Sequence, residues 1–305
     1  MRPQFIKLRL IVGILMVLAI AGGWFTRPQS KDYAAYHELI PNLDNGAYLL
    51  NVAGCAGCHT AENSDLDLAG GVILSTKFGN FITPNITSDV DHGIGKWDIV
   101  QFANAMKQGI SPTSQHYFPA LPYQYYQFMS DQDMVDLYGA LMASTAHPVP
   151  SKPNEVIFPF SVRMLQGGWK TLFFEHVQPA SSTPPTTLNQ AEIDQWQRGR
   201  YLVNAVSHCG ACHTPRGILG GEKTDLYLAG GIGMDGKKVP SIEESSLNQQ
   251  GWTADDIAFA LKTGILMDGD AFGGSMAEFV DHSTSKLTES DATSIGFYLL
   301  NQSGF

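Results

Sequence analysis

Cysteine is scarce: the 305-residue chain holds four. That excludes a disulfide-stapled scaffold, which is small and dense in cysteine. Basic residues are also in deficit, 19 Lys and Arg against 29 Asp and Glu, for a formal net charge of -10. Such a balance excludes a nucleic-acid groove, which needs a cationic stripe to displace counterions. An acidic surface suits a basic redox partner, and it equally serves solubility. Strand signals are few. A hydrophobic content of 44% removes the disordered and collagen-like classes. Long apolar runs are missing apart from one at the N-terminus, and the length implies two domains plus an appendage.

All four cysteines fall in two short units, CAGCHT from Cys55 and CGACHT from Cys209. Each contains Cys-x-x-Cys-His, the attachment signature of c-type haem: two thiols form thioethers to the porphyrin and the next histidine reaches the iron. The spacing is mechanical, because one helical turn points both sulfurs the same way and sets the imidazole beside them. A thioredoxin-like pair needs a βαβ setting and has no use for the histidine. A zinc site shared by the motifs would need them closer in sequence and would leave both histidines surplus. Two covalently bound haem c groups are therefore expected, on Cys55, Cys58 and His59 and on Cys209, Cys212 and His213, with His59 and His213 as iron ligands.

The N-terminal run carries an address. Arg2, Lys7 and Arg9 precede an uncharged, almost wholly apolar stretch from Leu10 to Phe25. This predicts an uncleaved transmembrane helix within residues 1–30, holding the chain at the bacterial cytoplasmic membrane with its bulk in the periplasm.

The rest is written twice. GAYLLNVAGCAGCHT from Gly46 parallels GRYLVNAVSHCGACHT from Gly199, and LAGG at Leu68 returns at Leu228. Trp97 corresponds to Trp252, and Gly109-Ile110 to Gly264-Ile265. Each copy reads as a short helix leading into the motif, a middle helix (Ile99, Phe102, Ala103, Met106; Ile257, Ala260, Leu261), and a last helix announced by Ser130 and Thr288 with an acid three positions on. The fold class is all-α: two tandem cytochrome c-like domains, 31–178 and 191–305, after the anchor helix. PASSTPPTTLNQ, residues 179–190, is the linker between them.

A c-type iron normally takes a second axial ligand, and methionine raises the potential relative to a second histidine. Met276, in GGSMAEFV, is the candidate in the second copy, placed in a loop ahead of the last helix. In the first copy the matching position is Leu121, which cannot ligate. Met129 is the candidate there, with Met106 and His116 as further choices and a vacant position as the alternative. The remaining histidines (His37, His92, His147, His176, His208, His282) read as surface or propionate-contacting groups.

The pieces FITPNITSDVDHGIGKW from Phe81, YFPALPYQYYQFMSDQDM from Tyr117, CHTPRGILGG from Cys212 and GGSMAEFV from Gly273 resemble the membrane-anchored cytochrome c subunits of bacterial alcohol, gluconate and fructose dehydrogenases. The resemblance implies a carrier that takes electrons from a dehydrogenase catalytic subunit and delivers them to ubiquinone, another cytochrome or a terminal oxidase. It departs from many relatives in having two haem motifs rather than three, and Leu121 in place of methionine. The alternative reading is a dihaem cytochrome c peroxidase, which an open first iron would suit.

Overall fold

In the computed structural model the described residues are 21–62, 64–174, 183–233 and 236–302, together with 9, 10, 12, 13 and 16. The first half runs α1 (Leu43–Val52), α2 (Cys55–His59), β1 (Ile73–Thr76), β2 (Gly79–Ile82), α3 (Ile99–Gln108), α4 (Tyr123–Tyr126), α5 (Asp131–Met142), β3 (Glu155–Val156) and α6 (Leu165–Phe173). The second runs α7 (Gln190–Tyr201), α8 (Gly210–His213), β4 (Gly231–Ile232), β5 (Lys238–Val239), α9 (Glu244–Gln249), α10 (Ala254–Thr263), α11 (Gly274–His282) and α12 (Glu289–Leu299).

The written repeat is a repeat in space. In the first half α1 packs on α5, and in the second α7 packs on α12. Both crossings are made at a glycine: a β-carbon on Gly46 would lie 2.1 Å from the Asp136 carbonyl oxygen, and one on Gly199 would lie 1.9 Å from that of Ser294. No side chain fits there, so the helices touch backbone to backbone. Leu49, Val52, Met134 and Leu137 fill the first crossing and Trp196, Leu202, Ile295 and Tyr298 the second, all buried and all part of one continuous core. The middle helices start on capping boxes, Asp98 with Gln101 and Thr253 with Asp256, and stop at left-handed Gly109 and Gly264.

One difference in length is resolved locally. Tyr48 precedes Cys55 by seven positions, whereas Tyr201 precedes Cys209 by eight. The extra residue is taken up as a π-helical turn over Leu202–Val206, the usual result of inserting one residue into a helix.

Two expectations need correction. The chain is mainly helical but not all-α: β1, β2 and β3 form an antiparallel sheet in that order, and β4 pairs with β5. The first hairpin, with Ile73 opposite Ile82, holds because β-branched Ile73 and Thr76 favour the pleat while Gly79, at φ 113°, opens the second strand where a β-carbon would meet the Glu155 carbonyl oxygen. The membrane location is the second. No helix among the described residues is long and apolar enough to cross a membrane. Much of the apolar run lies outside the described residues. Its helical end at 21–25 is followed by a residue that bonds to the body, His116 Nε2 donating to the Thr26 carbonyl at 2.8 Å. Of the linker, residues up to 182 also lie outside the described residues, and Asn189 at its end caps α7.

Candidate haem-attachment sites

Each motif folds as one short helical turn, α2 and α8, so the two sulfurs of each share a face. The first cysteine of each pair, Cys55 and Cys209, is partly buried, and the second, Cys58 and Cys212, is exposed. No disulfide links any of the four. Burial pushes the Cys55 and Cys209 thiols up to about 12, and burial together with Cys212 raises Cys58. Burial thus favours the neutral form of these three thiols. Among the described residues no group of three His, Cys, Asp or Glu side chains converges on a metal-ion site.

The histidines are held in mirror fashion. His59 Nδ1 lies 2.7 Å from the Pro84 carbonyl oxygen, and His213 Nδ1 lies 2.9 Å from that of Pro240. A carbonyl only accepts, so each Nδ1 carries the proton and each Nε2 keeps its lone pair. That is the tautomer a metal-ligating imidazole needs, with its second nitrogen oriented by a carbonyl. Burial lowers the pKa of both rings, the carbonyl bonds partly opposing it, which favours the neutral form. The donor set therefore suits a c-type haem in both halves.

The repeated LAGG explains why the carbonyls arrive there. Gly70 N–H donates to the His59 carbonyl at 2.6 Å, and Gly230 N–H to that of His213 at 2.7 Å. Leu68 and Leu228, both at φ 61°, donate N–H to the Thr60 and Thr214 hydroxyls at 3.0 and 3.2 Å. Their carbonyls accept from Ile86 and Ile242, each at 2.9 Å. One loop thus wraps each motif and brings the Pro-x-Ile segment, Pro84 to Ile86 or Pro240 to Ile242, under the ring. Pro84 and Pro240 were not legible as site residues, because a backbone acceptor has no side-chain signature. The repeat of LAGG with Pro-x-Ile about a dozen positions later is the signal that could have found them.

Across the seam the motifs approach each other, near enough for Cys212 to raise the Cys58 thiol. Each is covered from the opposite half. Phe279 and His282 of α11 lie against Gly54 and Gly57, and Tyr125 of α4 lies against Gly210. The Tyr125 hydroxyl donates to Glu222 at 2.7 Å, and Arg216 pairs with the other oxygen of that carboxylate at 2.7 Å.

The methionines fall differently from expectation. Met276 is partly buried in the first turn of α11, not in a loop. Met129 is 2% exposed within the core, directly before the Ser130 cap. Leu121 and Met106 pack against the same core. His116 is committed to Thr26, His92 pairs with Asp89 at 3.4 Å, His37 is exposed, and His176 lies outside the described residues. His208, read as a surface or propionate-contacting group, is enclosed by aromatic rings instead.

No family model matches the chain. Curated relatives do. A diheme cytochrome c-type protein of Cereibacter sphaeroides is 36% identical over 94% of this chain and 95% of its own length. The fructose dehydrogenase cytochrome subunit of Gluconobacter japonicus is 35% identical over 93% of this chain and 57% of its own length. The cytochrome c subunit of the quinone-dependent alcohol dehydrogenase of Gluconobacter oxydans is 33% identical over 84% of this chain and 54% of its own length. The chain thus spans little more than half of the two dehydrogenase subunits and almost all of the first relative. Cytochromes of dehydrogenase complexes give no support to the peroxidase reading.

Proposed function

The chain belongs to the dihaem cytochrome c subunits of dehydrogenases, and we propose on that premise that it relays single electrons from a dehydrogenase catalytic subunit to ubiquinone or a downstream cytochrome. The observation that carries the reading is the pair of mirrored clamps, His59 on Pro84 and His213 on Pro240, each beside the two cysteines of its motif. When bound, haem c supplies a one-electron ferric/ferrous couple whose potential follows its axial ligands and surroundings. The chain's own residues do the rest. Cys55 and Cys58, and Cys209 and Cys212, hold one haem each through thioethers, so neither is lost by dilution. His59 and His213 each present Nε2 in an orientation that Pro84 and Pro240 keep from turning. Met276 would supply the remaining protein ligand of the second haem and Met129 that of the first. The halves act as domains 31–178 and 191–305 joined by 179–190, and their shared seam keeps the two sites together while electrons pass.

Affinity isolation of the full chain from its native host tests this. A dehydrogenase should accompany it, identified by mass, and its organic substrate should reduce both haems of the isolated complex. Isolation alone, with haems that no accompanying dehydrogenase reduces, would reject the assignment.

A further inference from the structure

Gly54 and His208 occupy the same place in the two copies, directly before the first cysteine of each motif, and both adopt left-handed backbone, φ 68° and 42°. At Gly54 the reason is plain, since a β-carbon would lie 2.9 Å from the Phe279 ring. At His208 the left-handed conformation is kept in spite of a side chain, where glycine would adopt it at less cost. The imidazole that results sits among rings from elsewhere in the fold. Its centroid is 5.5 Å from Tyr126 at 67°, 5.8 Å from Phe279 at 87° and 6.4 Å from Tyr125 at 51°, and its Nδ1 is 3.1 Å from the Val206 carbonyl. Edge-to-face contacts of this kind are the favoured packing of aromatic rings. Tyr126 reaches toward the Ala53 carbonyl, 3.5 Å away, and Phe279 covers Gly54. The rings form a continuous wedge from the residues ahead of Cys55 to the residue ahead of Cys209.

We infer that His208, together with Tyr126 and Phe279, is the positioning residue for electron transfer within the chain: this wedge sets the spacing and the atomic contact between the two haem-attachment motifs. The inference rests on the haem reading above. The step it serves moves one electron, oxidising one iron from ferrous to ferric as the other is reduced, with no bond made or broken. Tunnelling falls steeply with distance and faster across gaps than through packed atoms, so a ring removed from the wedge weakens the coupling even where the backbone holds.

The experiment uses the haem-loaded full chain with His208→Gly, His208→Phe and Phe279→Leu. Haem content and both midpoint potentials are measured first, then the rate of internal transfer after pulsed reduction, and the spin–spin interaction between oxidised haems by paramagnetic resonance. His208→Gly relieves the backbone strain and should keep both haems and their potentials, while slowing internal transfer about tenfold or more and changing the spin–spin interaction. His208→Phe should restore the rate, and Phe279→Leu, which keeps an apolar side chain without the ring, should slow it. An unchanged rate in His208→Gly with two haems in place would overturn the inference, as would a rate in His208→Phe as slow as in His208→Gly. If His208→Gly loses a haem, an unchanged rate in Phe279→Leu overturns it instead. Absence of covalent haem from the unaltered chain rejects the haem reading itself, a separate result.

Discussion

The Tyr48 hydroxyl donates to Asp291 Oδ2 at 2.5 Å, across the seam between the halves. Its repeat counterpart Tyr201 donates to Asp133, the counterpart of Asp291, in the opposite direction. Each phenol oxygen also accepts a backbone N–H at the start of the last helix in the other half, from Thr288 at 3.3 Å and from Ser130 at 3.1 Å. The acids stand in the first turn of those helices, where the dipole favours negative charge. The two halves are therefore locked by a reciprocal exchange of tyrosines.

Removing one hydroxyl should loosen one lock. Tyr48→Phe or Tyr201→Phe should each cost about 1 kcal/mol of unfolding free energy, since Asp291 keeps Arg198 and Asp133 keeps Asn45. Urea denaturation measures the loss, and identical midpoints in wild type and both variants would show that the bonds contribute nothing net.

Covalent haem should number two per chain by pyridine haemochrome assay, and survive denaturing electrophoresis as a haem-stained band. Cys55→Ala with Cys58→Ala should leave one, as should Cys209→Ala with Cys212→Ala. Two haems remaining in either double variant would contradict attachment at these motifs.

Met276→Leu should lower one midpoint potential and leave the other near its wild-type value, because a thioether ligand favours the ferrous state. Each tenfold loss in relative ferrous affinity lowers a one-electron potential by about 59 mV. Redox titration followed by optical spectroscopy reads both couples, and two unmoved potentials would make Met276 a packing residue.

Lys170 makes stability depend on pH. Its ammonium is buried, donating to the Gln108 and Gly109 carbonyls at 2.6 and 2.8 Å and facing the Tyr123 and Phe174 rings. Burial lowers its pKa from 10.5 to about 7. Between that value and the unfolded one the unfolded chain binds more protons, so this group makes the folded state more stable as pH rises. Stability attributable to Lys170 should therefore climb from about pH 7 to about pH 10.5. Lys170→Met should flatten that rise in denaturation curves taken across the range; an unaltered slope would show that the amine titrates normally.

Much of this was legible because it is local. Ser130 and Thr288 cap the last helices as read from the sequence, their side chains accepting from Asp133 and Asp291 N–H at 3.0 and 3.1 Å. The acids three positions on do not turn back to complete a capping box; they are taken by Tyr201 and Tyr48 from the other half. The middle helices also cover the apolar spacing read from the sequence, Ile99 to Met106 and Ile257 to Leu261. The hairpin at Ile73 to Ile82 was missed because its strands are four residues each and its turn residues, Lys77 and Phe78, carry no hairpin signature.

By itself the sequence determined the chemistry and its duplication: two Cys-x-x-Cys-His units that use every cysteine, inside one pattern of helices written twice. Those properties depend on residue type and short spacing, which the chain states directly. Only the tertiary structure decided what holds the histidines, since the Pro84 and Pro240 carbonyls lie 25 and 27 positions from their rings and a backbone oxygen looks alike in every residue. The tertiary structure likewise put Met276 on a helix, brought Cys58 near Cys212, and gathered Tyr126, Phe279 and His208 into one wedge. Those relations come from how two similar halves pack across a shared seam, where the partners are distant in sequence and each copy covers the motif of the other.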